Sequence, residues 1–312
     1  MITAPSPGLV AWLDGVLVPW DEAHVHVSAH HYGVGVFEGL RAYRTPRGSA
    51  VFRLVDHTAR LFRSAKMMGI SIPWTPTELD AAQRSVVRES KLGDAYVRPF
   101  LFYDGPFGLG LHTGKLAVRG AILALPWADD GAHLDPEAAD RGIRLVTSSY
   151  ARHAPTSLLS KAKSNGNYMT SILALADARA AGAEDALLLD REGFVTEATG
   201  ANVFAVVGRE LHTPPRESVL EGITRDSVFA LAAELDLVVR ERRMTRDEMY
   251  VADEVFLTGT AAEITKVRAI DGRTFAEAPI TDQLRSLYRR VVRGQGGHEN
   301  WLDYVDVREE GR

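Results

Sequence analysis

Two lysines, Lys161 and Lys163, stand two residues apart in the stretch SKAKSNGNYMTS, ahead of Ser-Asn-Gly-Asn-Tyr and an apolar run with helical character. A lysine amine that loses its hydration becomes a nucleophile and a base near neutral pH. Residues two apart on a strand face the same way, so spacing alone does not choose between the two. Four other stretches carry complementary chemistry. GITRDSVFALAAEL opens with Gly222, Ile223 and Thr224 at a predicted helix start, where free backbone N–H groups and the positive dipole end favour an anion. TGTAAEI, after the apolar strand EVFL, offers a second donor-rich turn at Thr258, Gly259, Thr260 and Ala261. Arg60 adds a fixed positive charge, and Glu197, in FVTEATG, a carboxylate on a predicted strand. Taken singly these are a helix cap, a solvated arginine and a surface carboxylate. Together an amine, a carboxylate and a cage of donors meet the needs of pyridoxal phosphate, which takes an amine at its aldehyde, a carboxylate at its ring nitrogen and donors at its phosphate.

Other patterns fail on their own terms. GLGLHTGKL lacks a phosphate loop's first glycine, since Leu109 occupies its place, and Leu116 follows the lysine where Ser or Thr is required. GVGVFEG has its third glycine one residue late for a dinucleotide fingerprint. His24, His26, His30 and His31 form a cluster, but no spaced carboxylate completes a metal set, and ordinary hydrogen-bonded histidines are expected. There is no Gly-x-Ser-x-Gly elbow. The absence of cysteine excludes disulfides, thiolate metal sites and Cys nucleophiles.

The elements that must position these groups are mixed strands and helices without βαβ regularity. A chain of 312 residues is expected to divide into two domains. The run ADDGAHLDPEAAD marks the boundary, giving a small α/β domain over 1–126, an interdomain loop over 127–137 and a larger domain over 138–312. In the first, VAWLDGVLVPW reads as a hairpin about Asp14-Gly15, VFEGLRAYR, AVFRL, YVRPFLFYDG and AVRGAILALPW as strands, and Leu54 to Met68 and Thr77 to Lys91 as helices. In the second, GIRLVTSSY, DALLLD, GFVTEATGANVFAVV and EVFLTG read as strands, with helices from Met169 to Ala181, Thr224 to Leu235 and Ile280 to Arg293. A net charge of -5, with 46% apolar and 25% charged residues, is ordinary for a soluble enzyme and offers no global attraction to nucleic acid or anionic membrane. With no signal-like N-terminus and no apolar run of about 18 residues, a cytoplasmic location is expected.

The ordered motifs resemble the class IV pyridoxal-phosphate aminotransferases, and within them the bacterial branched-chain amino acid aminotransferases. They are YGVGVFEGLRAY at Tyr32 to Tyr43, HTARLFRSAK at His57 to Lys66, AYVRPFLF at Ala95 to Phe102 and KSNGNY at Lys163 to Tyr168. TEATGANVF at Thr196 to Phe204, EGITRD at Glu221 to Asp226 and ADEVFLTGTAAEI at Ala252 to Ile264 complete the series. The resemblance implies fold type IV, a mixed α/β (α+β) architecture of two domains with the cofactor site between them. It also separates the lysines, because the family pattern Lys-x-x-Gly-Asn-Tyr puts the Schiff-base lysine at Lys163.

Carried over by position, the resemblance implies phosphate contacts at Arg60, Ile223, Thr224 and Thr260, a ring-nitrogen carboxylate at Glu197, and Tyr168 near the ring oxygen. It implies that the substrate α-carboxylate meets Tyr96 and the backbone N–H groups of Thr260 and Ala261, and that Tyr32 and Arg98 receive the side-chain carboxylate of glutamate. Phe37 and Trp127 would line an apolar pocket completed by Leu109 and Leu111 from a partner subunit, so a homodimer or larger homo-oligomer is expected. The implied reaction transfers the amino group of leucine, isoleucine or valine to 2-oxoglutarate, with small molecules as its partners. Alternatives within the class are a D-amino acid or amine transaminase and the lyase acting on aminodeoxychorismate. One departure bears on substrate preference: Ala128-Asp129-Asp130 follows Pro126-Trp127 where the bacterial branched-chain enzymes usually carry Gly and, two residues later, an aromatic that packs on the substrate.

Overall fold

The computed structural model describes residues 8–25, 32–105, 111–114, 116–127 and 140–306. The chain separates into two compact units, one of residues 1–129, 162–166 and 291–312 and the other of residues 130–161 and 167–290. Two segments far along the chain thus belong with the first unit, a long-range association that a linear reading of composition does not register.

The first unit is built on a sheet of strands β1 (Val10–Leu13), β2 (Val16–Pro19), β3 (Gly35–Phe37), β4 (Leu40–Thr45), β5 (Gly48–Phe52), β6 (Ala95–Asp104) and β7 (Ala117–Pro126). Strand β17 (Leu302–Tyr304) completes it, in the order β17-β5-β4-β6-β7-β1-β2, with β3 also paired to β6. The hairpin expected at Asp14-Gly15 is present. The single strand expected over VFEGLRAYR is interrupted: Phe37 pairs with Phe100 and Leu40 with Val97 along the same β6, while Glu38 and Gly39 fall between the two ladders. The break falls at Glu38, whose side chain is fully buried.

Helix α1 (Leu54–Met67) buries Leu54, His57, Thr58, Arg60, Leu61, Ser64 and Ala65, the i, i+3, i+4, i+7 face visible in its sequence. Truncating Leu61, which is 1% exposed, would cost about 2–5 kcal/mol. Helix α2 (Pro76–Glu89) starts just ahead of the Thr77 signal. Thr75 is the cap: the Glu78 N–H donates to Thr75 Oγ1 at 3.2 Å and the Thr75 N–H to Glu78 Oε2 at 2.7 Å, with Pro76 at the first helical position.

In the second unit the strands are β8 (Ile143–Thr147), β9 (Asp185–Leu189), β10 (Val195–Ala198), β11 (Asn202–Val207), β12 (Glu210–Thr213), β13 (Val238–Glu241), β14 (Glu254–Gly259), β15 (Glu263–Ile270) and β16 (Arg273–Thr274). The order is β10-β9-β8-β15-β14-β11-β12-β13, and β10 also pairs with β11, so the run from β10 to β11 closes on itself. What reads as one long strand, GFVTEATGANVFAVV, is therefore the tight pair β10 and β11, with Glu197 opposite Asn202. Helices α3 (Tyr168–Ala180), α4 (Ile223–Glu234), α5 (Arg246–Tyr250) and α6 (Pro279–Val292) accompany this sheet. The core of the closed run holds Ile143, Leu145, Leu187, Val203, Leu257 and Val267. No helix among the described residues is long and apolar enough to cross a membrane.

Candidate active site

Lys163 lies in the 162–166 segment of the first unit, and its backbone is fixed on both sides. The Phe37 N–H donates to the Lys163 carbonyl at 3.1 Å, and the Lys163 N–H donates to Ser64 Oγ at 3.0 Å. Its Nζ stands 4.9 Å from the centre of the Phe37 ring. Lys161 has different company in the second unit: its Nζ donates to the Arg216 carbonyl and lies 3.1 Å from Glu221 Oε1. The two amines that spacing could not distinguish are thus distinguished by their neighbours.

Arg60 is buried in a cluster the sequence reading did not foresee. Its Nε donates to Glu38 Oε1 at 2.6 Å and its Nη2 to Glu38 Oε2 at 2.8 Å, while His57 Nδ1 lies 2.7 Å from Oε2. Burial alone would raise the Glu38 carboxyl, but the charge and hydrogen bonds of Arg60, with the hydrogen bond of His57, hold it far below the usual carboxylate range. His57 is pushed down, first by burial and then by the charges of Arg60 and Lys163, against the pull of Glu38. Its ring is neutral at neutral pH and donates Nδ1–H to the carboxylate. The available signal for Glu38 was an acid inside the otherwise apolar VGVFEGL.

Tyr96 and Arg98 share a face of β6. Arg98 Nη2 donates to the Tyr96 hydroxyl at 3.2 Å, and its guanidinium carbon stands 4.7 Å from the Phe37 ring centre. Tyr96 stacks on Trp127 with centroids 5.1 Å apart and planes at 25°. Gly39 permits this, since a Cβ there would lie 2.1 Å from the Tyr96 hydroxyl oxygen. Arg41, also unforeseen, is 4% exposed and places its guanidinium 4.7 Å from the Trp127 ring centre. Tyr32 is 53% exposed and Leu111 86%. Leu109, His26, His30, His31, Asp129 and Asp130 lie outside the described residues.

The second unit carries the carboxylate. Glu197 is 7% exposed, with Arg152 Nε 2.6 Å from its Oε1. Its Oε2 receives Asn202 Nδ2 at 3.2 Å and the Leu220 N–H at 3.1 Å. Asn202 Nδ2 also donates to the Leu220 carbonyl at 3.0 Å, joining the start of β11 to the chain that enters α4. At that helix start Gly222 is the cap residue and makes no side-chain cap bond. A Cβ at Gly222 would fall 2.0 Å from Asn202 Oδ1, so only glycine lets the amide approach. Ile223 and Thr224 are buried in the first helical turn. Thr258 Oγ1, near the end of β14, is buried with no hydrogen-bond partner among the described residues, while Thr260 and Ala261 are half-buried in the turn that follows. Tyr168 begins α3 and is half-buried. A buried, oriented carboxylate beside an anion-favouring helix start can hold a protonated ring nitrogen and a phosphate.

Residues 35–270, drawn from both units, match the family model described as Amino-transferase class IV, and the chain belongs to that family. Among its relatives, the branched-chain-amino-acid aminotransferase of Pseudomonas aeruginosa is 46% identical over 302 residues, covering 95% of this chain and 97% of that one. The enzyme of the same name from Escherichia coli K12 is 40% identical, with 95% and 97% covered. Among solved structures, the Escherichia coli branched-chain amino acid aminotransferase superposes with a TM-score of 0.91 at 40% identity, covering 95% of this chain and 99% of that one. The Thermobaculum terrenum branched-chain amino acid aminotransferase, solved in its PLP-form, superposes with a TM-score of 0.88 at 34% identity, over 96% and 99%. The expected mixed fold is thus the fold of this family.

Proposed function

We propose that the protein is a pyridoxal 5'-phosphate-dependent aminotransferase that moves the amino group of leucine, isoleucine or valine to 2-oxoglutarate, giving the branched 2-oxo acid and L-glutamate. The observation that carries the cofactor reading is Glu197: a buried carboxylate met from three directions, tied through Leu220 to the start of a helix whose first N–H groups have no side-chain cap. The Thr258 hydroxyl, which has no partner among the described residues, fits the same group, since a phosphate offers it an acceptor. The names borne by the relatives supply the amino donor class.

Bound pyridoxal phosphate supplies an electron-withdrawing ring that makes the α-proton of an attached amino acid labile. Lys163 Nζ is the base that takes this proton and returns it, and its anchored backbone limits the search of the side chain to its own rotamers. Glu197 holds the ring nitrogen, Tyr168 meets the ring oxygen, and Arg60, Ile223, Thr224 and Thr260 receive the phosphate. Tyr96 with the N–H groups of Thr260 and Ala261 orients the α-carboxylate. Phe37 and Trp127 offer apolar surface to a branched side chain, and Arg98 with Tyr32 a charge-assisted pair to glutamate.

The same reading makes the protein a cytoplasmic homo-oligomer in which Leu109 and Leu111 of one copy serve the site of another. The exposed Leu158, Leu159, Met169, Ile172 and Leu173 support it, because large apolar side chains left at the surface favour association. The test is a panel of amino donors with 2-oxoglutarate, alongside sedimentation at assay concentration. Turnover of leucine, isoleucine and valine is expected. Turnover of D-alanine alone, or pyruvate release from aminodeoxychorismate, would move the protein elsewhere in the class, and a fully active monomer would remove Leu109 and Leu111 from the site.

A further inference from the structure

We infer that Arg152 is a positioning residue for the cofactor's ring nitrogen, acting through Glu197: it holds that carboxylate in one orientation, and its charge loosens the grip of the nitrogen on its proton. The inference rests on the reading that Glu197 faces the ring nitrogen. The stretch SYARHA that carries Arg152 lies outside every motif singled out in the sequence for chemistry.

The geometry is that of a clamp. The Arg152 N–H donates to the Leu189 carbonyl at 2.8 Å, which ties the backbone to the end of β9. Its Nε makes an ion pair with Glu197 Oε1 at 2.6 Å, a charge contact without hydrogen-bond alignment, and both side chains are about 10% exposed. At the other end, Arg152 Nη1 stands 2.7 Å from His153 Nδ1. Burial, and then the Arg152 charge, push His153 down to about 4, so this imidazole is a neutral acceptor at neutral pH and adds no second positive charge. On the far oxygen, Asn202 Nδ2 and the Leu220 N–H donate without net charge. Arg152 is therefore the cation that balances Glu197.

That balance has a chemical consequence. A carboxylate with no neighbouring cation gives a protonated ring nitrogen its full attraction, whereas one already paired with a guanidinium shares it. A fixed positive charge behind the carboxylate also repels the nitrogen-bound proton. Both effects lower the proton affinity of the nitrogen. A merely structural arginine would stabilise the fold and leave that affinity unchanged.

The experiment follows the ring-nitrogen signal by ¹⁵N NMR over pH in the holoenzyme reconstituted with ¹⁵N-labelled pyridoxal phosphate. Arg152→Gln is expected to raise the midpoint of ring-nitrogen deprotonation by about one pH unit, and Arg152→Lys, which restores the charge, to bring it back toward the wild type. Should Arg152→Gln not fold, Arg152→Met keeps the apolar stem and carries the same expectation. Glu197→Gln should lower the midpoint in any background. If Glu197→Gln moves the midpoint and the neutral Arg152 variants do not, the role of Arg152 is overturned while the cofactor reading stands. If Glu197→Gln leaves it unmoved, the reading of Glu197 itself fails.

Discussion

Arg98 donates to the hydroxyl of Tyr96 from two residues further along the same strand, so the guanidinium is held over aromatic surface instead of extending into water. In the proposed reaction this cation serves glutamate and not leucine. Arg98→Leu should damage the half-reaction with glutamate while largely sparing that with leucine. Glutamate loses a charge-assisted pair and leucine only packing, so the two losses in kcat/KM should differ by about 2 to 4 kcal/mol. Single-turnover rates with each donor measure this, and parallel losses would refute the dual role.

Sodium borohydride should fix a pyridoxyl group to Lys163. Lys161 is occupied by Glu221 and the Arg216 carbonyl, a surface pairing unrelated to a reactive amine. Peptide mapping after reduction decides the matter. An adduct on Lys161 or Lys266, with Lys163 unmodified, would reverse the assignment.

Arg60 has two tasks in this reading, and its variants should separate them. Arg60→Ala leaves Glu38 as a buried carboxylate without its guanidinium, which costs about 3–5 kcal/mol of stability by denaturant titration. Lys161→Ala removes a part-exposed ion pair and should cost about 1 kcal/mol or less. At temperatures where Arg60→Ala stays folded, dialysis should strip its cofactor far faster than that of Lys161→Ala. Equal retention would dissociate Arg60 from the phosphate.

Acid should weaken the fold through His57 before it reaches Glu38. The His57 value is lowered in the folded state, so folding favours the neutral ring, and stability falls as pH drops below the unfolded value of about 6.5. Glu38 is also lowered, so its contribution is present above the unfolded carboxylate value and is lost only as pH falls through its much lower folded value. Melting temperatures of wild type and His57→Gln between pH 8 and 5 should therefore converge as pH falls. A constant gap would exclude His57 as the titrating group.

The helices were legible because apolar residues recur along them at helical spacing: α1, α3, α4 and α6 each fall within a residue or so of the expected bounds. The strands were legible as apolar runs, but their breaks were not. Glu38 between β3 and β4, and Thr199 to Ala201 between β10 and β11, interrupt runs that composition presents as unbroken. Short strands such as β12 and β13 gave no periodic signal: β12 forms by hairpin pairing with β11, and β13 by parallel pairing with β12 across the intervening helix. The same division holds for the site. Lys163, Glu197 and Thr224 stood out through motif order, whereas Glu38, Arg41 and Arg152 are defined by which side chain each one touches, and a touch between the chain after β8 and strand β10 has no linear trace. Assigning the reactive lysine needed the family pattern, since neither amine differs from the other in local sequence character.

Strand β17 pairs with β5, Leu302 opposite Phe52 and Tyr304 opposite Ala50, and the Trp301 carbonyl accepts from the Arg53 N–H at the entrance to α1. The whole second unit is encoded between these partners, so a ribosome must finish it before strand β5 can gain its outer partner. The first unit cannot mature on the nascent chain in the usual order of synthesis, N-terminal part first. It must wait with an open strand edge while its neighbour is made, and a ribosome that stalls within the second unit would release it in its most adhesive form.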